Sequence, residues 1–300
     1  MSGELYVIAL YRFESLSEPE VFSEKIRGVA TSRGVRGTLI IAAEGLNGTL
    51  AGTREGLETV LAVCSDFLQL DPPRFDPVTA WPFSRLFVHL KKEVVSMGVD
   101  AIDPNEQRGQ YVDPHDWNHL IADPDIVVVD TRNDFEVRLG TFERAENPTT
   151  NAFTEFPNWA DDNVERLRAA KGVAMFCTGG IRCEKATSYL RTIGVRDTFH
   201  LRGGILRYLD AVPTEESHFR GDCFVFDDRV AVGSDLEVNE SVGICYGCRH
   251  ALTDSMRADQ RYEEGVSCPD CYDRTSIAQK SKYRARHQQF MRASQADGDI

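Results

Sequence analysis

From Leu5 to Phe13 the chain carries a strand-like run, and Val21, Phe22, Ile26 and Val29 then recur at the spacing of a helix with one buried stripe. Ser17 is the predicted N-cap of that helix, with Pro19 in its first turn and acids suited to the dipole. Two strands, Gly37 to Ala43 and Thr49 to Gly52, flank a glycine-rich turn through Glu44-Gly45-Leu46-Asn47-Gly48. Leu57, Val60, Leu61, Val63, Cys64 and Leu68 mark a second helix, with Cys64 on its core stripe, and Leu86 to Val95 a last strand. The order βαββαβ predicts a ferredoxin-like domain over residues 1–98, two helices on one face of a four-stranded antiparallel sheet. Nucleic-acid modules, regulatory modules and plain scaffolds all use that fold, so it decides no function.

Residues 99–110 are polar and read as a linker. From Tyr111 to about residue 220 the pattern is α/β. A helix from Asp113 to Ile121 precedes a strand from Ile126 to Val129, and a helix around Asn163 to Ala170 precedes a strand from Val173 to Phe176. A helix from Glu184 to Gly194, a strand from Thr198 to Leu201 and a helix after Gly203-Gly204-Ile205 follow. Alternating elements imply a parallel sheet covered on both faces, with ligands collecting at the carboxyl ends of its strands. Residues 221–300 change character again, opening with a hairpin that turns at Asp227-Asp228.

A chain of 300 residues, 42% apolar, has material for two or three compact domains. Neither a bilayer-length apolar run nor a basic, apolar leader is legible, which predicts a cytoplasmic protein without a membrane partner. The formal charge of −13, spread along the chain, excludes indiscriminate nucleic-acid binding but not a local basic face. One stretch supplies such a face. From Arg274 to Arg292 there is no acid, and Lys280, Lys282, Arg284, Arg286 and Arg292 are candidate RNA contacts, or the solvated side of a terminal helix.

Cysteine adds the chemistry. Cys245-Tyr246-Gly247-Cys248 and Cys268-Pro269-Asp270-Cys271, nineteen residues apart, have the spacing of a tetrahedral four-cysteine zinc site. Four thiolates leave no open position, so such a zinc is structural; a redox pair is the alternative, and His250 reads as a surface residue. Cys177 stands where a strand ends and a helix begins, where unpaired amides and the positive end of the dipole favour a thiolate. Gly179 and Gly180 let successive amides, from Thr178 to Ile181, converge as an anion nest, and Arg182 adds a guanidinium facing the same pocket.

Cysteine phosphatases place five residues between their cysteine and arginine; here Arg182 comes after four. The six-residue loop Cys177-Thr178-Gly179-Gly180-Ile181-Arg182 resembles the active loop of the rhodanese superfamily, whose cysteine is associated with a persulfide. Asp130-Thr131-Arg132 resembles the Asp-x-Arg that supports that loop, a structural pairing, and Gly203-Gly204 its closing turn.

Glu44-Gly45-Leu46-Asn47-Gly48-Thr49, the loop extended by Cys183-Glu184-Lys185, and the cysteine-paired tail together resemble the bacterial tRNA uridine 5-hydroxylase family, also called rhodanese-related sulfurtransferases. The resemblance implies oxygen-dependent hydroxylation of uridine at wobble position 34, with the tRNA anticodon loop as partner and molecular oxygen as co-substrate. It implies Cys177 as the reactive thiolate or persulfide, Arg182 and the loop amides as holders of its charge, and Cys183 as a resolving thiol. No flavin, haem, non-haem iron or nicotinamide motif is legible; addition of Cys177 at carbon 6, giving an enolate that meets oxygen, is one route to activating the base, and a persulfide role for Cys177 stays open beside it. A sulfur or electron donor is a further expected partner. The competing readings are a sulfurtransferase working from thiosulfate or a persulfide, and a non-catalytic tRNA-binding module.

Overall fold

The computed structural model describes residues 4–100 and 102–297, with side chains as far as Arg292. The N-terminal unit runs β1 (Leu5–Phe13), α1 (Pro19–Ser32), β2 (Arg36–Ala42), β3 (Gly45–Thr53), α2 (Arg54–Ser65), β4 (Asp76–Val78) and β5 (Leu86–Leu90). Its sheet has the order β4-β1-β3-β2-β5. The βαββαβ order stands, but the three-residue β4 takes the edge beside β1, and the predicted last strand becomes β5, a fifth strand parallel to β2. So short a strand has too few alternating positions to announce itself. Ile8, Leu10 and Leu39 of the sheet close on Phe22, Ile26 and Ala30 of α1 and on Leu57, Val60 and Cys64 of α2.

Two local expectations change. Helix α1 is opened by Glu18 without a side-chain cap, and Ser17 plays no part: Pro19 sits at the helix start, where its fixed φ does the ordering. The β2–β3 turn is only Ala43 and Glu44, and Gly45 to Gly48 lie inside β3. There Gly45 and Gly48 admit the backbone carbonyls of Arg12 and Thr38 where a Cβ would collide.

The central unit contains α3 (Pro104–Gln107), β6 (Gln110–Val112), α4 (Pro114–Ala122), β7 (Ile126–Asp130), α5 (Asp134–Val137), β8 (Gly140–Phe142), α6 (Phe156–Asp162) and α7 (Val164–Ala169). It continues with β9 (Gly172–Phe176), α8 (Ile181–Thr192), β10 (Thr198–Leu201) and α9 (Gly204–Ala211). Strands β6-β10-β9-β7 form a wholly parallel sheet. One face packs on Trp117 and Ile121 of α4 and Ile205 and Tyr208 of α9; the other packs on Phe156, Leu167, Ala186 and Leu190 of α6, α7 and α8. Residues 99–110, expected as a linker, hold α3, whose Asp103 side chain caps it and which packs on α8; the Gly109 amide donates to Thr187 Oγ1 at 2.9 Å.

The tail begins within the central unit. Strand β11 (Phe219–Gly221) pairs with β8, so the expected 220/221 boundary falls inside it. A hairpin of β12 (Cys223–Phe224) and β13 (Ala231–Val232) follows, then β14 (Gly243–Ile244), β15 (Ala251–Leu252), α10 (Asp254–Arg257) and α11 (Ile277–Asp297). Phe224, Val230 and Ala251 of the tail pack on Phe135 of α5. Among the described residues, no helix is long and apolar enough to cross a membrane.

Candidate active site

Strand β9 is buried throughout and alternates strictly, Val173 and Met175 toward α8, Ala174 and Phe176 toward α4 and α9. Cys177 continues the first set and is itself buried. Helix α8 starts at Ile181 rather than Glu184, so Arg182 and Cys183 occupy its first turn. Gly180 makes the turn at φ 101°, a conformation few side chains accept, and a Cβ there would stand 2.8 Å from Tyr11 Oη. Its amide donates to Cys177 Sγ at 3.1 Å. The cradle expected from the amides of Thr178 to Ile181 therefore narrows to Gly180, joined by the amides of Arg182 and Cys183 one turn on. Gly179 has open space where a Cβ would stand, and with Ile181 it is the half-buried rim of the loop.

Burial alone would raise the Cys177 pKa. The S–H of Cys183, the charge of Arg182 and the amides of Arg182 and Cys183 overcome it and bring Cys177 down to about 6. Cys183 moves the other way, held well up as a thiol by burial and by the bond it gives Cys177. Thr131 Oγ1 lies 3.4 Å from Cys183 Sγ and donates to the Phe176 carbonyl at 3.0 Å, so the middle residue of Asp130-Thr131-Arg132 touches the site.

Arg182 stays beside the loop, with Nη2 3.4 Å from Thr178 Oγ1 and its charge felt at Cys177, but its strongest partner lies outside it. Its guanidinium forms a two-pronged pair with Glu136 of α5, 2.7 and 2.8 Å, both side chains buried. Burial would raise the Glu136 carboxyl, but Arg182 keeps it below its ordinary value. Sequence reading missed Glu136, because only the fold brings α5 under the loop; Asn133-x-x-Glu136, a capping box, was its one local signal. Asp130 and Arg132 form a second buried pair at 2.6 and 2.9 Å beneath β8, with Thr141 Oγ1 donating to Asp130 at 2.8 Å. Gly203 and Gly204, at φ 72° and 65°, bring the start of α9 onto the loop, where the Ile205 and Leu206 amides donate to the carbonyls of Cys177 and Thr178 at 2.9 and 3.1 Å. Beside Arg182 stands Phe226, 59% exposed, its ring centre 5.8 Å from the guanidinium carbon.

The sulfurs of Cys245, Cys248, Cys268 and Cys271 all lie within 4.8 Å of one another. Cys245–Cys271, Cys248–Cys268 and Cys268–Cys271 are 4.0, 3.7 and 3.9 Å apart. Tetrahedral zinc with thiolates at about 2.3 Å separates them by about 3.8 Å, so the four fit a metal such as zinc. His250, read as a surface residue, is instead stacked on Phe135 at 4.1 Å with Asp270 Oδ2 3.4 Å from its Nδ1; it ties the cysteine cluster to α5. The basic stretch is partly engaged within the tail. Arg284 pairs with Glu263, Arg286 donates to the Tyr246 carbonyl at 2.6 Å and Lys280 lies 3.4 Å over the Tyr272 ring, while Lys282 and Arg292 are exposed.

The family model for a UPF0176 acylphosphatase-like domain matches residues 5–94, and that for a rhodanese-like domain matches residues 113–211. The chain is 47% identical over 285 residues to a protein of Brucella anthropi named tRNA uridine(34) hydroxylase, covering 94% of this chain and 93% of that one. A protein of the same name from Agrobacterium fabrum is 46% identical over 296 residues, 97% of this chain and 92% of the other.

Proposed function

The chain belongs to the tRNA uridine(34) hydroxylase family, and from that premise we propose that it hydroxylates carbon 5 of the wobble uridine of tRNA through Cys177. The observation that carries this reading is the Cys177 sulfur, held by the Gly180 amide at the N-terminus of α8 and brought toward ionisation near neutrality, with the exposed ring of Phe226 standing beside Arg182. Carbon 5 of uracil is a poor nucleophile until a thiolate adds at carbon 6. Addition makes the ring an enolate, and carbon 5 then attacks molecular oxygen. One oxygen atom stays on the base and the other leaves as water at the expense of a two-electron donor, after which elimination frees Cys177. Cys183, held as a thiol in contact with the Cys177 sulfur, is the resolving group should that sulfur be oxidised.

A base in the anticodon loop is already unpaired, so its extrusion is inexpensive. Phe226 offers it a stacking face beside the loop, of a kind worth about 1–3 kcal/mol per base. Lys282 and Arg292 are the exposed cations of the basic stretch that remain suited to flanking phosphates. The cysteine cluster holds a structural zinc and, through His250 and Phe135, steadies α5 under Arg182.

The test is nucleoside analysis of tRNA incubated with the protein, oxygen and a thiol reductant. Wild type yields 5-hydroxyuridine at position 34, and Cys177→Ser yields none. Product from Cys177→Ser at the wild-type rate refutes the role of Cys177.

A further inference from the structure

Glu184 and Lys185 follow Cys183 in α8 and take no part in cradling the sulfur. Both are charged and both are almost wholly buried, at 3% and 2% exposure. Lys185 Nζ lies 2.8 Å from Glu44 and 2.7 Å from Glu93, and both carboxylates belong to the N-terminal side of the molecule. Glu44 also accepts the Val94 amide at 2.7 Å, and Glu93 those of Met97 and Gly98. Lys185 therefore fastens the N-terminal sheet to the helix that holds the catalytic sulfur.

Glu184 has a different partner set. It accepts the Tyr111 hydroxyl at 2.5 Å, lies 3.9 Å from Arg108, and stands within reach of the Tyr11 hydroxyl as its acceptor. Tyr11 belongs to β1 of the N-terminal unit and is half-buried. Its hydroxyl lies against Gly180, the residue whose amide holds the sulfur, and occupies the space a Cβ of Gly180 would need. Two consecutive residues thus do complementary work: one docks the N-terminal unit and the other aims its tyrosine at the loop.

We propose that Tyr11 is a catalytic residue supplied by the N-terminal unit: its hydroxyl donates a hydrogen bond to O4 of the target uracil while Cys177 adds at carbon 6. In that step the S–C6 bond forms, the C5=C6 π bond breaks, and its electron pair passes through C4 onto O4. No electron is lost to an acceptor and no proton need move. A donor placed at the developing oxyanion stabilises the adduct more than the neutral base, which is the condition for acceleration. In the free protein the Tyr11 hydroxyl is turned toward the Glu184 carboxylate, and rotation about its C–O bond brings the same hydrogen to O4 once the base is bound.

This inference rests on the hydroxylase reading, and the experiment separates the two. Wild type, Tyr11→Phe and full-length protein carrying fluorinated tyrosines at position 11 are assayed for 5-hydroxyuridine on an anticodon stem-loop. Loss of one oxyanion donor is worth about 100-fold, so Tyr11→Phe lowers kcat by that order with KM within about two-fold. The fluorinated series restores kcat, which varies with phenol acidity. A Tyr11→Phe kcat within two-fold of wild type overturns the assignment, as does a series indifferent to acidity, the mark of a purely structural hydroxyl. Absence of product from wild type removes the hydroxylase reading itself.

Discussion

Cys177 is buried and nevertheless ionised near neutrality, because a thiol, a guanidinium and helix-start amides all oppose the desolvation of its charge. The thiolate fraction falls as pH drops through about 6, so iodoacetamide labelling of Cys177 followed by mass spectrometry should be half-maximal there. An ordinary midpoint near 9 refutes the electrostatic account. The folded value lies below the unfolded one, so the stabilisation it contributes is complete above pH 9 and is lost as pH falls toward 6. Glu136 matters for a different reason. Glu136→Gln leaves the Arg182 guanidinium buried without its counter-charge, and breaking such a pair costs about 3–5 kcal/mol. Denaturant melts should record a loss of that order, while an unchanged midpoint would show the pair to be dispensable.

At the scale of elements, the site depends on where α8 begins and how α9 meets the loop. A positive φ at Gly180 allows α8 to start at Ile181, which brings the amides of Arg182 and Cys183 to the sulfur. The start of α9 comes so close that a Cβ on Gly204 would stand 2.5 and 2.6 Å from the carbonyl oxygens of Cys177 and Thr178. Gly204→Ala adds that collision to a left-handed conformation, a cost of at least about 2 kcal/mol. Its thermal midpoint should fall and Cys177 labelling near pH 7 should slow; no change in either means the contact yields freely. The tail makes a parallel case, since β14, β15 and α10 are only two to four residues long and have little stability of their own. Prolonged chelation should release one zinc per chain, measured by atomic emission, and expose residues 243–272 to limited proteolysis. Full protection of the metal-free protein would leave the cluster without a structural role.

Across the whole molecule, three units converge on one loop: β1 brings Tyr11, α8 carries the sulfur's partners, and the tail hairpin sets Phe226 beside Arg182. Lys185 is the fastening among them, and Lys185→Met leaves Glu44 and Glu93 without their shared cation. Hydrogen exchange should then quicken across residues 44–48 and 93–98, and hydroxylation should fall while Cys177 still labels. Unaltered exchange would show that the docking does not depend on the ion pairs. Much of this organisation is written in local pattern. Periodicity gave β1, α1, α2 and the α/β succession, because the side chains of one helix face or strand must share one environment. Cys-x-x-Cys spacing gave the four-cysteine cluster, and two glycines before an arginine gave the loop, because both chemistries are satisfied by neighbours in sequence. What the sequence could not supply were the partners of buried charges. Glu136 meets Arg182 across 46 positions, Lys185 meets Glu93 across 92, and Tyr11 reaches a loop that begins more than 160 residues later. A buried charge takes whichever opposite charge the packed chain sets beside it, and only the tertiary structure decides which one that is.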